Sequence, residues 1–161
     1  MNVNNGNSQN LPDGWKPRNI PTSTRFSHET DSAENVLSII REGIKNIGNG
    51  SLGRGLYASV YNGHPMELES GYMIVFRPAD ILNGFDVTLY DYAMGNIEDC
   101  AEKAEVHEKY DKYLNASDFY GVPRTTEYVF HSSAKIIIDK IVDISTGKEY
   151  TTDEFLSIFG K

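Results

Sequence analysis

The chain has 161 residues, enough for one domain with a sizeable core, and its 39% hydrophobic and 11% aromatic content, ten tyrosines included, is that of a folded globular protein. A net charge of −8 favours solubility and disfavours general binding along a nucleic-acid backbone, which needs many Lys and Arg contacts, although a local basic patch is compatible with it. The single cysteine, Cys100, excludes an internal disulfide, and no apolar run approaches the roughly 18 residues of a transmembrane span.

Residues 1–22 are rich in Asn, Gly and Pro and lack an apolar signal core, so they are expected to form a flexible lead-in or a linker from something upstream. The protein is expected to be soluble, either cytoplasmic or delivered by a signal-peptide-independent route. Residues 23–161 read as one α+β domain without internal repeats. TRFSH (24–28) predicts a short strand. DSAENVLSIIREG then predicts a helix, with Asp31 and Glu34 in capping-box spacing, Val36, Leu37 and Ile40 on one face, and Gly43 at the C-cap.

GLYASVY (55–61) and GYMIVFR (71–77) predict strands, the second stopped by Pro78. FDVTLY (85–90) predicts another after an Asn83-Gly84 turn. Residues 97–114 have the composition of a solvent-exposed helix, and their acids at IEDCAEKAE disfavour Cys100 as a nucleophile. ASDFYGVPR (116–124) reads as a loop, TEYVFH (126–131) and AKIIIDKIVDI (134–144) as strands. TTDEFLSIF closes the chain as a short helix capped by Thr151 and Glu154.

In GNGSLGRGLYAS (48–59), Gly48, Gly50 and Gly53 spell G-x-G-x-x-G. A dinucleotide-binding fingerprint of that kind must follow a strand and open a helix. Here a capped helix precedes the glycines and a strand follows, so the pattern fails on context. A helix-to-strand connection explains the glycines. It does not explain LGRGLYAS, in which a tyrosine follows tight glycines directly.

Three blocks, RFSHET, GRGLYAS and TEYVFHSSAKI, occur in this order across residues 25–136, with the helix NVLSIIREGI between the first two. Together they resemble the ADP-ribosyltransferase superfamily in its histidine–tyrosine–glutamate branch, which includes diphtheria-like toxins and poly(ADP-ribose) polymerases. The resemblance implies two packed small β-sheets that form an NAD cleft with flanking helices. It also implies NAD+ as substrate, with no metal.

By the same resemblance, His28 would hydrogen-bond the adenosine ribose, Tyr57 would stack on nicotinamide, and Glu127 would bind the nicotinamide ribose and stabilise its oxocarbenium-like charge. Glu29, Thr30, Gly55, Ser59 and Tyr72 complete the expected NAD-contacting set. Tyr61 and Tyr72 read first as strand packing, and either would serve as the opposite wall of a nicotinamide slot. Phe119, Tyr120 and Thr125 would belong to a substrate-facing loop, with Phe119 and Tyr120 exposed for target contact. Glu29 stands where the family usually has glycine, and a carboxylate beside the phosphates of NAD is unfavourable unless it points away. Thr125, two before Glu127, does not support arginine as acceptor.

The resemblance therefore implies a mono-ADP-ribosyltransferase that releases nicotinamide and modifies a macromolecule, with protein favoured over nucleic acid as acceptor. A toxin or effector role is implied by analogy, with a cognate immunity or antitoxin protein as a further candidate partner and no membrane. The alternatives are a NAD glycohydrolase and, in a different class, a catalytically inactive binding module. Other chemistries lack their spacing. His64, His107 and His131 form no metal-ligand motif, HSS (131–133) has no nucleophile elbow, and nothing sets a glycosidase separation for Glu67 and Glu69.

Overall fold

The computed structural model describes residues 15–45, 49–50, 53–87, 117–122 and 126–161. Within them the chain forms β1 (Lys16–Ile20), β2 (Phe26–Thr30), α1 (Ala33–Glu42), β3 (Asn49–Gly50), β4 (Gly53–Arg54), β5 (Leu56–Val60) and β6 (Tyr72–Pro78). It continues through β7 (Leu82–Asp86), β8 (Phe119–Val122), β9 (Glu127–Phe130), β10 (Ile136–Asp143), β11 (Glu149–Tyr150) and α2 (Thr152–Phe159). Nine strands join one mixed sheet in the order β1-β7-β8-β9-β5-β2-β6-β10-β11, and β3 and β4 pair separately. The class is α+β. The hydrogen bonding runs through one continuous sheet where two packed sheets were expected, with β7–β8 its parallel pair. No helix among the described residues is long and apolar enough to cross a membrane.

The helices follow local rules. Ser32, rather than Asp31, caps α1: its hydroxyl accepts from the Asn35 amide at 3.2 Å, and Glu34 falls in the first turn, where an acid complements the helix dipole. Gly43 ends α1 at φ 75°, with its N–H on the Ile39 carbonyl at 2.9 Å. At α2, Thr151 and Glu154 form the expected reciprocal capping box, with bonds of 3.1 and 2.8 Å.

Three stretches differ from their sequence reading. Lys16–Ile20, within the segment expected to be flexible, forms β1 against β7, and Trp15 and Ile20 are buried. Asn83 and Gly84, expected as a turn, lie inside β7 opposite Asn19 and Arg18. Gly84 serves close approach: a Cβ there would meet the Phe119 carbonyl at 2.3 Å. Phe119–Val122, read as loop, is strand β8 and is buried throughout. The expected helix at 97–114, Cys100, His107 and residues 88–90 lie outside the described residues.

Phe26 of β2 anchors the main core. Its ring centroid lies 5.9 Å from Phe76, 5.1 Å from Tyr128 and 4.9 Å from Phe130, mostly in edge-to-face geometry. Helix α1 adds Val36 and Leu37 to this cluster, and α2 adds Phe155. Because side chains alternate across a strand, Met73 and Val75 of β6 face the other way. They form a second cluster with Val142, flanked by Tyr61 and Ile144. Phe130→Ala should therefore lower unfolding free energy by about 3–5 kcal/mol, since it empties a fully buried aromatic position shared by three strands; urea denaturation measures this.

Candidate active site

Strands β2 and β5 pair at Phe26↔Val60 and Ser27↔Ser59, and there the ladder stops. Beyond that point β2 continues along β6 as far as Thr30↔Tyr72, while the start of β5 runs along β9 as Leu56↔Phe130 and Tyr57↔Val129. The sheet thus opens between 28–30 and 56–58. A split of this kind turns main-chain polar groups toward a gap, where they need other partners.

His28 provides one. Its Nδ1 lies 2.5 Å from the Tyr57 carbonyl oxygen. A carbonyl can only accept, so Nδ1 carries the hydrogen and, in the neutral ring, Nε2 keeps its lone pair. Burial pushes the imidazole below its ordinary value, against the opposing effects of the Tyr57 carbonyl and the nearby Glu29 charge. At neutral pH the ring is uncharged, and Nε2 is a hydrogen-bond acceptor suited to a hydroxyl.

Gly55 sets the approach of β5 to β9. It adopts φ 151°, and a Cβ there would stand 2.5 Å from Val129 Cγ2 and 2.6 Å from the Phe130 carbonyl oxygen. No other residue fits without displacing β9. Tyr57 follows two residues later at the edge of the split. Farther along, Ser27↔Ser59 and Ser59↔Glu127 form a row across β2, β5 and β9. Residues directly opposite in antiparallel strands share a face, so this row lies on the face opposite the α1-packed core.

Two cavities adjoin the opening. One, of about 140 Å³, lies beside the Ser27–Ser59–Glu127 row and is also lined by Tyr57, Met66 and Glu67. The other, of about 250 Å³, lies toward α1 and is lined by Asn35, Ser38, Lys45 and Gly55. His28 and Tyr57 line both. The smaller cavity has Glu29, Glu67 and Glu127 among its lining residues, the Glu29 carboxylate being engaged by the backbone amides of 66–68, whereas the larger has Lys45 and no acid. Lys45 is paired with Glu42 at the end of α1, so acidic residues mark the smaller cavity while the larger carries no uncompensated charge. Among the described residues, no three His, Cys, Asp or Glu side chains are grouped to hold a metal ion.

Of the residues singled out from sequence, His28, Glu29, Gly55, Tyr57, Ser59 and Glu127 come together at this opening. Thr30 does not enter it. Its hydroxyl accepts from Ser32 N at 3.2 Å and Asn35 Nδ2 at 3.0 Å, and so positions a cavity residue indirectly. Tyr72 lies elsewhere: its ring packs on Phe155 and Phe159 of α2 at 5.3 and 5.8 Å, and burial pushes its phenol up.

Phe119 and Tyr120 are buried rather than exposed for target contact. Phe119 packs near Tyr128 and Phe130, and Tyr120 against Trp15 and His131. Thr125 lies outside the described residues. The HSS segment is a structural brace: buried His131 Nδ1 meets Ser117, while the Ser133 hydroxyl donates to Asp118 at 2.7 Å.

Sequence reading missed Ser27, Asn35, Ser38, Lys45 and Met66, and weighed Glu67 only as a glycosidase acid. The strand alternation of FSHET already carries one signal, since it puts Ser27 and Glu29 together on the face opposite His28. Comparison with protein-family models, curated proteins and solved structures finds no match to this chain.

The direction of the His28 shift gives a pH test. The unfolded chain binds this proton near pH 6.5, the folded protein only at lower pH, so this contribution to stability is intact above about 6.5 and falls as pH drops toward the folded value. His28→Asn keeps an N–H donor in the side chain but cannot titrate. Urea unfolding at pH 7.5 and pH 5.5 should show a smaller acid loss in His28→Asn than in the unsubstituted protein.

Proposed function

We propose that the protein is an NAD-dependent mono-ADP-ribosyltransferase with an ADP-ribosyltransferase-like fold and that the opening between β2 and β5 is its NAD cleft. The observation that carries this reading is the convergence of His28, Tyr57 and Glu127, from three distant sequence blocks, around one opening. NAD+ has a cationic nicotinamide end and an anionic pyrophosphate. The cavity lined by Glu67 and Glu127 suits the first.

In this reading the Tyr57 ring stacks on nicotinamide. His28 Nε2 accepts a hydroxyl of the adenosine ribose. Glu127 holds a hydroxyl of the nicotinamide ribose. As the bond from ribose C1′ to the pyridinium nitrogen breaks, its electron pair leaves with nicotinamide, which becomes neutral. Positive charge builds on the sugar, and a fixed carboxylate stabilises that charge more in the transition state than in the ground state. A nucleophile of the acceptor then bonds to C1′ and loses its proton. Water in that place would make the protein a glycohydrolase.

Glu29 fits this reading because its carboxylate is engaged by backbone amides of 66–68. The acceptor proposed is a protein, and the biological role proposed is that of a soluble toxin or effector countered by an immunity protein; this role rests on the resemblance of the three motif blocks.

Labelled NAD+ tests the chemistry. The unsubstituted protein should release nicotinamide, and label should appear on protein in a cell lysate. Glu127→Gln should lower turnover on the order of 100-fold or more with far less effect on NAD+ affinity. Tyr57→Ala should mainly raise KM. Undiminished turnover in Glu127→Gln would remove Glu127 from the chemistry, and absence of both NAD+ binding and turnover in the unsubstituted protein would overturn the reading.

A further inference from the structure

Residues 61–71 connect β5 to β6 without regular secondary structure. Yet Met66 and Glu67 of this connection line the same cavity as Tyr57 and Glu127. A wall built from an irregular segment needs something to hold it. At its exit, Gly71 adopts φ 100° with its backbone so close to Thr30 that a Cβ would stand 2.5 Å from that carbonyl oxygen. Its carbonyl also accepts from Ile144 N at 2.9 Å.

The middle is held differently. Glu29 Oε2 accepts from the Met66 amide at 2.6 Å, and Oε1 accepts from Glu67 at 3.1 Å and Leu68 at 2.8 Å. Three successive backbone N–H groups thus converge on one carboxylate, the arrangement that backbone nests offer to an anion. Here the anion is a side chain of the neighbouring strand, one residue from His28. The contacts local to the connection, such as His64 N on Asn62 Oδ1 at 3.4 Å, do not join it to the sheet.

We infer that Glu29 is a positioning residue, which latches the 61–71 connection over the smaller cavity so that Met66 and Glu67 complete the wall facing the nicotinamide end of the substrate. The role rests on the proposed NAD chemistry. Glu29 itself acts through the wall it holds. With both oxygens occupied by amides, the carboxylate is turned to the connection, and its negative charge is spread over three donors.

Glu29→Ala and Glu29→Gln separate the latch from a simple charge effect. Alanine removes every acceptor; glutamine keeps one oxygen but no charge. Two readouts are taken: hydrogen exchange of the Met66, Glu67 and Leu68 amides, and steady-state nicotinamide release from NAD+. Glu29→Ala should lose protection at these amides and raise KM about tenfold, the scale of a lost charge-assisted hydrogen bond, while kcat falls much less. Glu29→Gln should lie between alanine and the unsubstituted protein in both readouts.

Unchanged exchange in Glu29→Ala would overturn the latch. Lost protection with an unchanged KM would overturn its role in substrate positioning. Glutamine as damaging as alanine to KM, with protection retained, would assign the effect to charge and likewise overturn it. If the unsubstituted protein neither binds nor turns over NAD+, the functional reading fails and the positioning role with it, whereas lost protection in Glu29→Ala would still identify the anchor.

Discussion

The arrangement at the centre of this molecule depends on where β2 and β5 stop pairing. Two ladder positions, Phe26↔Val60 and Ser27↔Ser59, join the strands, and the next residues separate toward β6 and β9. A sheet that ended its pairing there without a substitute partner would leave the Tyr57 carbonyl facing the opening. The imidazole of His28 supplies that partner. One hydrogen bond therefore fixes the tautomer of His28, braces the start of β5, and leaves Nε2 as an acceptor beside the cavities on either side.

Packing on both faces keeps the opening from closing or spreading. Toward α1, Phe26, Phe76 and Phe130 bridge β2, β6 and β9, so strands on both sides of the split share one aromatic cluster. On the other face Met73, Val75 and Val142 bury β6 and β10 a second time. Glycines permit approaches that a side chain would prevent. Gly55 lets β5 run against β9, and Gly121 leaves room for the ring of Tyr128, which a Cβ would meet at 2.4 Å. Outside this core, the connection after β5 takes its place from Glu29.

Local patterns made much of the fold legible. Strands at GLYASVY, GYMIVFR and TEYVFH and both helices follow from alternation, capping and glycine placement, because those signals act within a few residues. Long-range pairing has no such signal. Nothing in KPRNI alone indicates that it will find β7, and FYGV, flanked by the loop-like ASD and PR, becomes buried strand where Trp15, Tyr128 and His131 pack against it. Tyr72 shows the same limit within the candidate site, since its register opposite Thr30 places it against α2. The grouping of His28, Tyr57 and Glu127 could be named from motif order. That acidic residues line one side of the opening depends on the three-dimensional route of residues 61–71.

The most direct measurement is a proton NMR titration of NAD+ with Glu127→Gln protein, in which binding is observed without rapid turnover. Stacking on Tyr57 predicts that the nicotinamide ring protons shift upfield as they enter the cavity lined by Glu67 and Glu127, and that Tyr57→Ala abolishes the shift. Nicotinamide protons that keep their free positions at saturating protein, or that shift equally in Tyr57→Ala, would contradict the placement of NAD+ in the opening between β2 and β5.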